Sequence, residues 1–360
     1  MARILSVTNF VRKPGTAFLH TTGIKISNGL IRNGHFVANF SDRDMARIHS
    51  LFGHRKFGVG AANRELRSLC RDMAPDLLLL GHADVIWPET IAQIRAELPA
   101  LRVLQWNVDA MFTPDNVARL SANLDVVDAT LVTTAGEDLK PLVRPGKFLG
   151  FLPNPVDPSV ETGCNYRQDK LPYDLFFPCG NDKIPRYVCG QDWRMTELVR
   201  EIERGAPGLR MLTPGVAGQP KLAGAAYQRA LESAAIGLNI SRRNDHFLYS
   251  SDRLAHMIGN GMAVLIDRAT GYDRLFDDDE LAFFSTVDEL VEKIRWLIAD
   301  PSARRRLAES GRRRYHALFN ERAVARYMVD AAFGTFRAED YPWPALSSSE
   351  APRMFETIGE

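Results

Sequence analysis

Short apolar runs alternate with amphipathic segments along most of the chain. Six runs of four or five residues mark the first half, namely Ile4–Val7, Phe36–Phe40, Leu77–Leu80, Arg102–Trp106, Ala129–Val132 and Phe148–Leu152. Between them apolar residues recur at helical spacing, as in Asn63–Met73 and Pro88–Leu98. The runs predict buried strands, and strands that alternate with helices form βαβ units around a mostly parallel sheet.

The same alternation continues in the second half. Its predicted strands are Leu175–Pro178, Leu209–Leu212, Ile236–Ile240, Ala263–Ile266 and Leu281–Phe284. Its predicted helices are Met195–Arg204, Leu222–Ser233, Asp252–Asn260, Val287–Ile298, Ser302–Leu318 and Glu321–Phe333. The two halves therefore predict two Rossmann-like, doubly wound α/β domains. We expect the carboxyl ends of their parallel strands to face a central cleft, because such sheets bind ligands there.

A stretch rich in proline separates the two halves. The residues that interrupt the alternation are Pro153, Pro155, Pro158, Gly163 and Pro172. We predict an N-terminal domain over residues 1–155, a linker over 156–172 and a C-terminal domain over 173–320. Residues 321–360 are expected to form a helix and an irregular tail that return to the N-terminal domain.

Composition and charge narrow the class of protein. The chain has 360 residues, 45% of them hydrophobic and 25% charged, as expected for a globular protein of two domains. Its formal net charge of +1 gives no reason to expect a nucleic-acid partner. The four cysteines are not paired in a C-x-x-C motif, so we expect reduced thiols in the cytoplasm rather than disulfides or a zinc site. The apolar runs are too short to span a membrane, and the first residues lack a signal-peptide pattern.

The loop after the first predicted strand has polar residues suited to an acceptor. The acceptor-side candidates in it are Asn9, Gly15, Thr16 and His20. A loop that contains glycine and leads into a helix lets backbone amides approach an anion or a sugar hydroxyl. An ordinary connecting loop is the alternative. The loop has no G-x-G-x-x-G motif, which argues against a dehydrogenase that uses NAD.

Polar side chains follow two further predicted strands. His82 lies just after Leu77–Leu80, and Asn107 and Asp109 lie just after Arg102–Trp106. Groups of this kind hold sugar hydroxyls or accept a proton from one. We therefore predict His82 and Asp109 as catalytic residues and Asn107 as an acceptor-side residue. Turn formation and helix capping are the alternative roles.

Arginines and hydroxyl residues gather after the strand predicted at Ile236–Ile240. The predicted donor-binding residues are Arg242, Arg253, Ser250, Ser251, Asp252, His256, Thr213 and Gly215. We expect the segment 250–252 to cap the helix that begins near Arg253, so that free amides and the helix dipole receive a nucleotide diphosphate. Arg242 and Arg253 would pair with phosphate oxygens, or else lie on the surface as solvated arginines. Thr213 and Gly215 would line the base or ribose pocket, unless they simply form a turn.

Two stretches of the chain resemble a known enzyme family. Residues 153–157 read Pro-Asn-Pro-Val-Asp, where GT-B glycosyltransferases of family 4 and their relatives have P-N-G-V-D at the end of the first domain. Ala235–Tyr315 resembles their donor-binding domain, whose pattern is R-x-x-E-x-x-x-x-G-x-P-V followed by an acidic tail. The expected cleft loops contain no D-x-D motif, so no metal is implied.

The resemblance implies a specific activity. The protein would transfer a hexosyl or related sugar from a nucleotide-diphosphate sugar, its co-substrate, to a saccharide or a lipid-linked saccharide. No other cofactor is implied. The resemblance also implies a role in the assembly of bacterial surface polysaccharide or lipopolysaccharide, and it favours retention of the anomeric configuration.

The chain departs from the family at two positions. The paired glutamates of the family, which contact the donor sugar and the ribose, fall here on Leu248 and His256. His256 can still form one hydrogen bond with a hydroxyl, whereas Leu248 cannot. Two alternatives therefore stay open. One is a non-catalytic GT-B-like protein that binds a glycan or a nucleotide sugar, and the other is a nucleotide-sugar epimerase.

Two arginine triplets, Arg304–Arg306 and Arg312–Arg314, lie on the helix predicted after Pro301. Ser302 is expected to cap this helix. A solvated helix face would account for the triplets. The alternative is docking to anionic lipid headgroups, with peripheral contact at the inner face of the membrane. The sequence does not indicate an oligomeric state.

Overall fold

The computed structural model describes residues 1–10, 20–50 and 53–346. The chain divides into two units. The first unit comprises Met1–Pro153 together with the segment that begins at Glu321, and the second comprises Asn154–Asn320. Within the described ranges, no helix has the length and apolar character needed to cross a bilayer.

The first unit is built on a seven-stranded sheet in the order β14-β6-β5-β4-β3-β1-β2. Its strands are β1 (Arg3–Thr8), β2 (Phe36–Ser41), β3 (Leu77–Gly81), β4 (Arg102–Asn107), β5 (Ala129–Val132), β6 (Phe148–Phe151) and β14 (Ala345–Leu346). All neighbours pair in parallel except β14, which runs antiparallel to β6. The six strands predicted for this half are confirmed. The tail was expected to be irregular, and this is wrong for residues 345–346, which pair with the sheet edge.

Helices cover this sheet, and most of them bury several apolar side chains. They are α1 (Thr22–Arg32), α2 (Asp42–Ile48), α3 (Val59–Met73), α4 (Pro88–Glu97), α5 (Pro114–Ser121) and α11 (Glu321–Phe333). The last of these packs against α1, where Gly29 has no side chain. A Cβ atom on Gly29 would lie 2.0 Å from the carbonyl oxygen of Glu321. Arg32 also pairs with the Glu321 carboxylate at 2.6 Å, which joins the start of this helix to the first unit.

The second unit has a five-stranded parallel sheet in the order β10-β7-β11-β12-β13. Its strands are β7 (Tyr173–Phe176), β10 (Met211–Leu212), β11 (Ala234–Asn239), β12 (Ala263–Asp267) and β13 (Ala282–Phe284). Its helices are α6 (Met195–Gly205), α7 (Gly224–Leu231), α8 (Arg253–Gly259), α9 (Val287–Ala299) and α10 (Pro301–Leu318). An antiparallel hairpin of β8 (Arg186–Val188) and β9 (Gln191–Trp193) follows β7, and the alternation of apolar runs did not predict it.

The predicted linker at 156–172 is wrong, because this segment is folded into the second unit. Asp157 and Glu161 are fully buried, and the Glu161 carboxylate accepts a hydrogen bond from the Asp157 amide at 2.8 Å. The Asn165 side chain donates to the carbonyl oxygens of Leu231 and Ala234, both at 2.7 Å. Prolines shape this segment, but polar side chains fasten it to the sheet.

The cap predicted for the long helix α10 is also wrong. Its N-cap is Asp300, whose side chain accepts a hydrogen bond from the Ala303 amide at 2.9 Å, and Ser302 lies inside the first turn. Pro301 occupies the first helical position, where its missing N–H group has no consequence.

Each sheet reverses its strand order at one point. In the first unit the chain runs from β1 to β2 on one side and then crosses to β3 on the other. In the second unit β7 lies in the same way between β10 and β11. Parallel α/β sheets bind ligands in the crevice at the carboxyl ends of the strands where this reversal occurs. The fold therefore predicts ligand binding at the carboxyl ends of β1 and β3 in the first unit, and at those of β7 and β11 in the second.

Candidate functional site

A cavity of about 270 Å³ lies at the strand reversal of the second unit. The loop after β7, the start of β8 and the long loop between β11 and α8 form its walls. Its lining residues are Gly180, Asn181, Ile184, Arg186, Ser241, Arg242, Tyr249, Ser251 and Arg253. Of the predicted donor-binding residues, the cavity brings together Arg242, Ser251 and Arg253.

Arg186, which sequence analysis did not single out, is the most deeply buried arginine of this cavity. Only 4% of its surface is exposed. Its guanidinium donates to the carbonyl oxygen of Ile240 and, at 3.1 Å, to the sulfur of Cys179. Arg253 donates to the same Ile240 oxygen at 3.2 Å. Burial, reinforced by the positive charge of Arg253, lowers the pKa of Arg186 to about 10.

These two arginines have the features expected of a candidate anion site. Within the described parts of the chain, neither of them pairs with a carboxylate, and the Nε atom of Arg186 is buried without a hydrogen-bond partner. A buried cation that lacks a counter-ion is costly, and a bound anion would remove that cost. A planar guanidinium matches the geometry of phosphate oxygens.

The hydroxyl residues beside α8 do not cap it as predicted. Asp252 occupies the N-cap position with helical backbone angles, φ −52° and ψ −20°, and its side chain makes no capping hydrogen bond. A capping side chain normally needs an extended backbone at this position. Ser250 donates to the Ser251 carbonyl at 2.9 Å. The hydroxyl of Ser251 is buried and has no partner among the described residues, so it is available to a ligand in the cavity.

Three other predicted donor residues lie outside the cavity lining. Thr213 is buried after β10. Gly215 adopts a φ of +80°, and a Cβ atom there would lie 2.0 Å from the carbonyl oxygen of Cys179, so it supports the chain that leads into the cavity wall. His256 is buried on α8, where its Nδ1 atom is 3.2 Å from the hydroxyl of Tyr227. These positions suit packing better than direct contact with a ligand in this cavity.

Leu248, which stands at the first glutamate position of the family resemblance, has no side-chain group that could form a hydrogen bond with a donor sugar. Its side chain is fully buried, and its backbone adopts a left-handed φ of +56°. Its amide donates to the Thr270 carbonyl at 2.7 Å. The backbone in this conformation therefore places an apolar side chain in the core.

The two predicted catalytic residues of the first unit contact each other. The Nδ1 atom of His82 lies 3.4 Å from a carboxylate oxygen of Asp109. The Nε2 atom accepts a hydrogen bond from the Val108 amide at 3.2 Å, so the proton of the neutral ring lies on Nδ1, the nitrogen nearer to Asp109. Burial lowers the pKa of His82, although the negative charge of Asp109 opposes the shift. A neutral histidine thus lies beside a carboxylate that is 54% exposed.

A network of amide side chains holds this pair. The Asn107 side chain accepts from the Asp109 amide at 2.6 Å and donates to Asn116 at 2.9 Å. Arg119 donates to Asn116 at 2.9 Å and lies 3.4 Å from Asp109. Asn107 is buried, so its observed contacts position Asp109 rather than reach outward. His82 also has a left-handed φ of +46°, a strained conformation that often marks a functional position.

Acidic and basic groups continue this cluster along the sheet edge. Asp84 accepts a hydrogen bond from Arg43 at 2.8 Å and lies 3.6 Å from Arg55. Asp42 is fully buried at the start of α2. Its burial raises its pKa to about 7, and the nearby charge of Asp84 adds to the shift. The first unit therefore has a titratable cluster at the carboxyl end of β3.

The remaining acceptor-side candidates lie after β1, on the other side of the same reversal. The Oδ1 atom of Asn9 is buried and has no hydrogen-bond partner in the described chain. His20 is buried just before α1. Gly15 and Thr16 lie outside the described residues. In the parts of the chain that the structure covers, no group of three or more histidine, cysteine, aspartate or glutamate residues could hold a metal ion.

Comparison with known proteins agrees with this architecture. Residues 182–330 match the family model described as glycosyl transferase-like. No curated protein sequence is a significant match to the chain. The sucrose-phosphate synthase of Thermosynechococcus elongatus superposes with a TM-score of 0.63 at 12% identity, over 93% of this chain and 99% of that chain.

Two further solved structures share the fold. An alpha-glucosyltransferase in complex with UDP and DNA has a TM-score of 0.62 at 13% identity, over 92% of this chain and 99% of that chain. The Anabaena protein HepE in complex with UDP has a TM-score of 0.58 at 9% identity, over 93% of this chain and 100% of that chain. The predicted two-domain Rossmann-like fold and the resemblance to GT-B glycosyltransferases are thereby confirmed. The family match over residues 182–330 points to sugar transfer, and the solved structures show the shared fold.

Proposed function

We propose that this protein transfers a sugar from a nucleotide-diphosphate sugar to a saccharide acceptor. The observation that supports this most directly is the pair Arg186 and Arg253, two cations without a carboxylate partner in the described chain, at the strand reversal of the second unit. UDP is the first nucleotide to test, because it is the nucleotide bound in two of the structures that share the fold.

In this proposal the second unit binds the donor. The arginines would take the diphosphate oxygens, and the buried hydroxyl of Ser251 would donate a further hydrogen bond. When the bond between the anomeric carbon and the phosphate oxygen breaks, negative charge grows on the departing diphosphate. Guanidinium groups already fixed to the Ile240 carbonyl stabilise that charge with little rearrangement.

The first unit would supply the base. The acceptor hydroxyl forms the new bond to the anomeric carbon, the diphosphate leaves, and the hydroxyl proton passes to Asp109. His82 cannot take this proton on Nε2, because that atom already accepts from the Val108 amide. Its proton on Nδ1 instead orients the Asp109 carboxylate. We therefore assign Asp109 as the base and His82 as a positioning residue.

The mechanism determines whether the anomeric configuration of the transferred sugar is retained or inverted. The resemblance to family 4 implies retention, whereas direct displacement assisted by Asp109 gives inversion. The coupling constant of the anomeric proton in the product, measured by NMR, distinguishes the two outcomes.

We extend the proposal to a lipid-linked acceptor in surface polysaccharide or lipopolysaccharide assembly, with peripheral contact at the cytoplasmic face of the membrane. The arginine triplets of α10 support this contact only in part, since three of these arginines bind backbone carbonyl oxygens. Arg304 donates to Leu297, Arg312 to Gly259 and Arg314 to Leu275. The exposed Arg306 and Arg313 are left for anionic lipid, and co-sedimentation of an Arg306→Gln/Arg313→Gln variant with anionic vesicles tests this role.

The decisive experiment incubates the purified protein with UDP-, GDP-, ADP- and CMP-sugars and follows the products by mass spectrometry. Transfer or slow hydrolysis supports the proposal. Interconversion of the sugar would favour an epimerase, and thermal stabilisation without turnover would favour a non-catalytic binding protein. The Arg253→Ala variant should lose nucleotide affinity while keeping its melting temperature. Unchanged affinity would discard the phosphate site.

A further inference from the structure

Trp87 is a large apolar side chain that the first unit leaves at its surface. Its two apolar neighbours in sequence, Val85 and Ile86, are buried in the core of this unit. Trp87 itself is 47% exposed. It occupies the N-cap position of α4, where small polar residues are preferred, and its side chain makes no capping hydrogen bond. Neither core packing nor helix capping therefore explains why the largest of these three side chains is exposed.

A buried amide side chain fixes the backbone at Trp87. Asn63, which lies on α3 and is 3% exposed, accepts a hydrogen bond from the Trp87 amide at 2.9 Å. Its NH₂ group donates to the carbonyl oxygens of Val59 and Val85, both at 2.8 Å. The indole ring lies beside Gly60, where a Cβ atom would be 3.5 Å from Cη2. Because the backbone is held in this way, a ligand that stacks on the ring orders little of the protein when it binds.

The loop between β3 and α4 brings polar groups close to this ring in sequence. His82, whose ring contacts the proposed base, begins the loop. Farther along, the Asp84 carboxylate accepts a hydrogen bond from Arg43 at 2.8 Å and lies 3.6 Å from Arg55. A pyranose has an apolar C–H face that stacks on aromatic rings, and hydroxyls at its edge that bind carboxylate and guanidinium groups. The loop that ends at Trp87 offers both kinds of contact.

The charges around Trp87 favour a saccharide over a membrane surface as its partner. Glu89, in the first turn of α4, is exposed two residues after Trp87. The arginines that approach Asp84 are paired with its carboxylate. Docking to anionic headgroups relies on clustered basic residues, and an exposed glutamate would oppose it. A neutral sugar ring meets no such repulsion.

We propose that Trp87 is a stacking platform for a pyranose ring of the saccharide acceptor, and that Asp84 and Arg55 bind hydroxyl groups at the edge of that ring. The inference rests on the proposed sugar transfer, and it names a residue that determines which acceptors bind.

Saccharide binding to the full-length protein tests the platform. The probes are the methyl glycosides of glucose, galactose, mannose, rhamnose and N-acetylglucosamine, with their di-, tri- and tetrasaccharides. Saturation-transfer NMR identifies the saccharides that bind, and calorimetry measures their affinity. For the saccharide that binds most tightly, Trp87→Ala should lower the affinity by about 2- to 12-fold, the usual contribution of an aromatic contact. Trp87→Phe should retain most of the affinity, because it keeps an aromatic ring.

Two controls separate the platform from general effects. Trp296→Ala, at a tryptophan of α9 that is 46% exposed, should leave saccharide affinity unchanged. UDP should bind Trp87→Ala as it binds the wild type, because the candidate anion site lies in the second unit.

The results that would overturn the inference are distinguishable. If saccharides bind Trp87→Ala and the wild type equally, or if UDP binds and no saccharide does, the platform is wrong and the donor side of the proposed function stands. If vesicles of phosphatidylglycerol and phosphatidylethanolamine sediment the wild type but not Trp87→Ala, the partner of Trp87 is a membrane and the platform is again wrong. If neither nucleotides nor saccharides bind, the proposed function and this inference fail together.

Discussion

Arg186 and Arg253 donate hydrogen bonds to one and the same oxygen, the carbonyl of Ile240. The shared acceptor holds two like charges close together at the carboxyl end of β11, although Coulomb repulsion opposes the arrangement. Burial lowers the pKa of Arg186, and the same repulsion adds to the shift. Such a pair is stabilised when an anion binds, so ligand affinity and the stability of the ligand-free protein should respond to these residues in opposite ways.

Replacing Arg186 with methionine tests this relationship. The Arg186→Met variant should bind a nucleoside diphosphate roughly 10- to 150-fold more weakly, since a hydrogen bond to a charged group contributes about 1.5–3 kcal/mol. The ligand-free variant should unfold at an unchanged or higher denaturant concentration, because an apolar side chain of similar length replaces a buried charge that has no counter-ion.

Calorimetry and urea denaturation measure the two effects separately. Arg204→Met, at an exposed arginine of α6 that pairs with Glu201, is the control and should leave nucleotide affinity unchanged. A ligand-free Arg186→Met protein that is strongly destabilised, with normal nucleotide affinity, would show that Arg186 serves the fold and not an anion.

The location of Arg186 in the cavity could not be predicted from the sequence. It lies on a strand of three residues, too short for a periodic pattern, and it reaches the cavity because Tyr187 pairs with the loop at Arg242 and Asn244. That pairing joins segments more than fifty residues apart. The five main strands of this unit were predictable because their apolar runs are buried by parallel neighbours. The position of Arg186 was not predictable, because a small hairpin places it in the cavity.

The assignment of Asp109 as the base predicts different behaviour for the two residues of the pair. Asp109→Asn should lower the rate of sugar transfer by about 10²- to 10⁴-fold, the usual contribution of general base catalysis, and leave nucleotide affinity unchanged. His82→Asn should retain part of the rate, because its amide group can still donate toward Asp109 and asparagine tolerates the left-handed backbone found at this position.

His82→Val serves as the contrasting variant. A β-branched residue without a donor should lose both the orientation of Asp109 and some stability at a φ of +46°. The kcat and KM of the three variants, measured with a fixed donor, separate the roles. If Asp109→Asn transfers sugar at the normal rate while His82→Asn is inactive, the assignment of base and positioning residue is reversed.

The sequence predicts that His82 and Asp109 lie at the same edge of the sheet, but not that their side chains meet. Each residue follows a recognisable apolar strand, and parallel neighbours bring such ends together. The register that pairs Gly81 with Trp106 decides that the two side chains meet. The hydrogen bond from Val108, which makes His82 a neutral donor, depends on loop geometry that no local pattern encodes.

The raised pKa of Asp42 predicts a specific effect of pH on stability. The unfolded side chain titrates near 3.8, and the folded one near 7. Between these values the native state binds more protons, so the contribution of Asp42 is complete below pH 3.8 and is lost as the pH rises to about 7. Asp42→Asn removes this dependence.

Urea denaturation of both proteins at pH 5 and pH 8 measures the effect. The stability of Asp42→Asn relative to the wild type should improve by about 2–3 kcal/mol between the two pH values, since each pKa unit corresponds to about 1.4 kcal/mol. Asp72→Asn, at an exposed aspartate of α3, should show no such change. A constant difference across this range would mean that Asp42 is not protonated in the folded protein.

Gly215 links the stability of the second unit to its cavity. With a φ of +80° and the Cys179 carbonyl where a Cβ atom would lie, Gly215→Ala must displace the chain that carries Cys179 and Gly180. Cys179 accepts a hydrogen bond from Arg186, and Gly180 lines the cavity, so the displacement should reach the anion site.

Gly218→Ala is the matched control, because Gly218 has a φ of +81° but open space around it. We expect the control to lose about 1–2 kcal/mol of stability for the left-handed backbone alone and to keep its nucleotide affinity. Gly215→Ala should lose more stability than this, and its nucleotide affinity should fall as well. Equal effects of the two substitutions on affinity would show that the loop after β7 does not position Arg186.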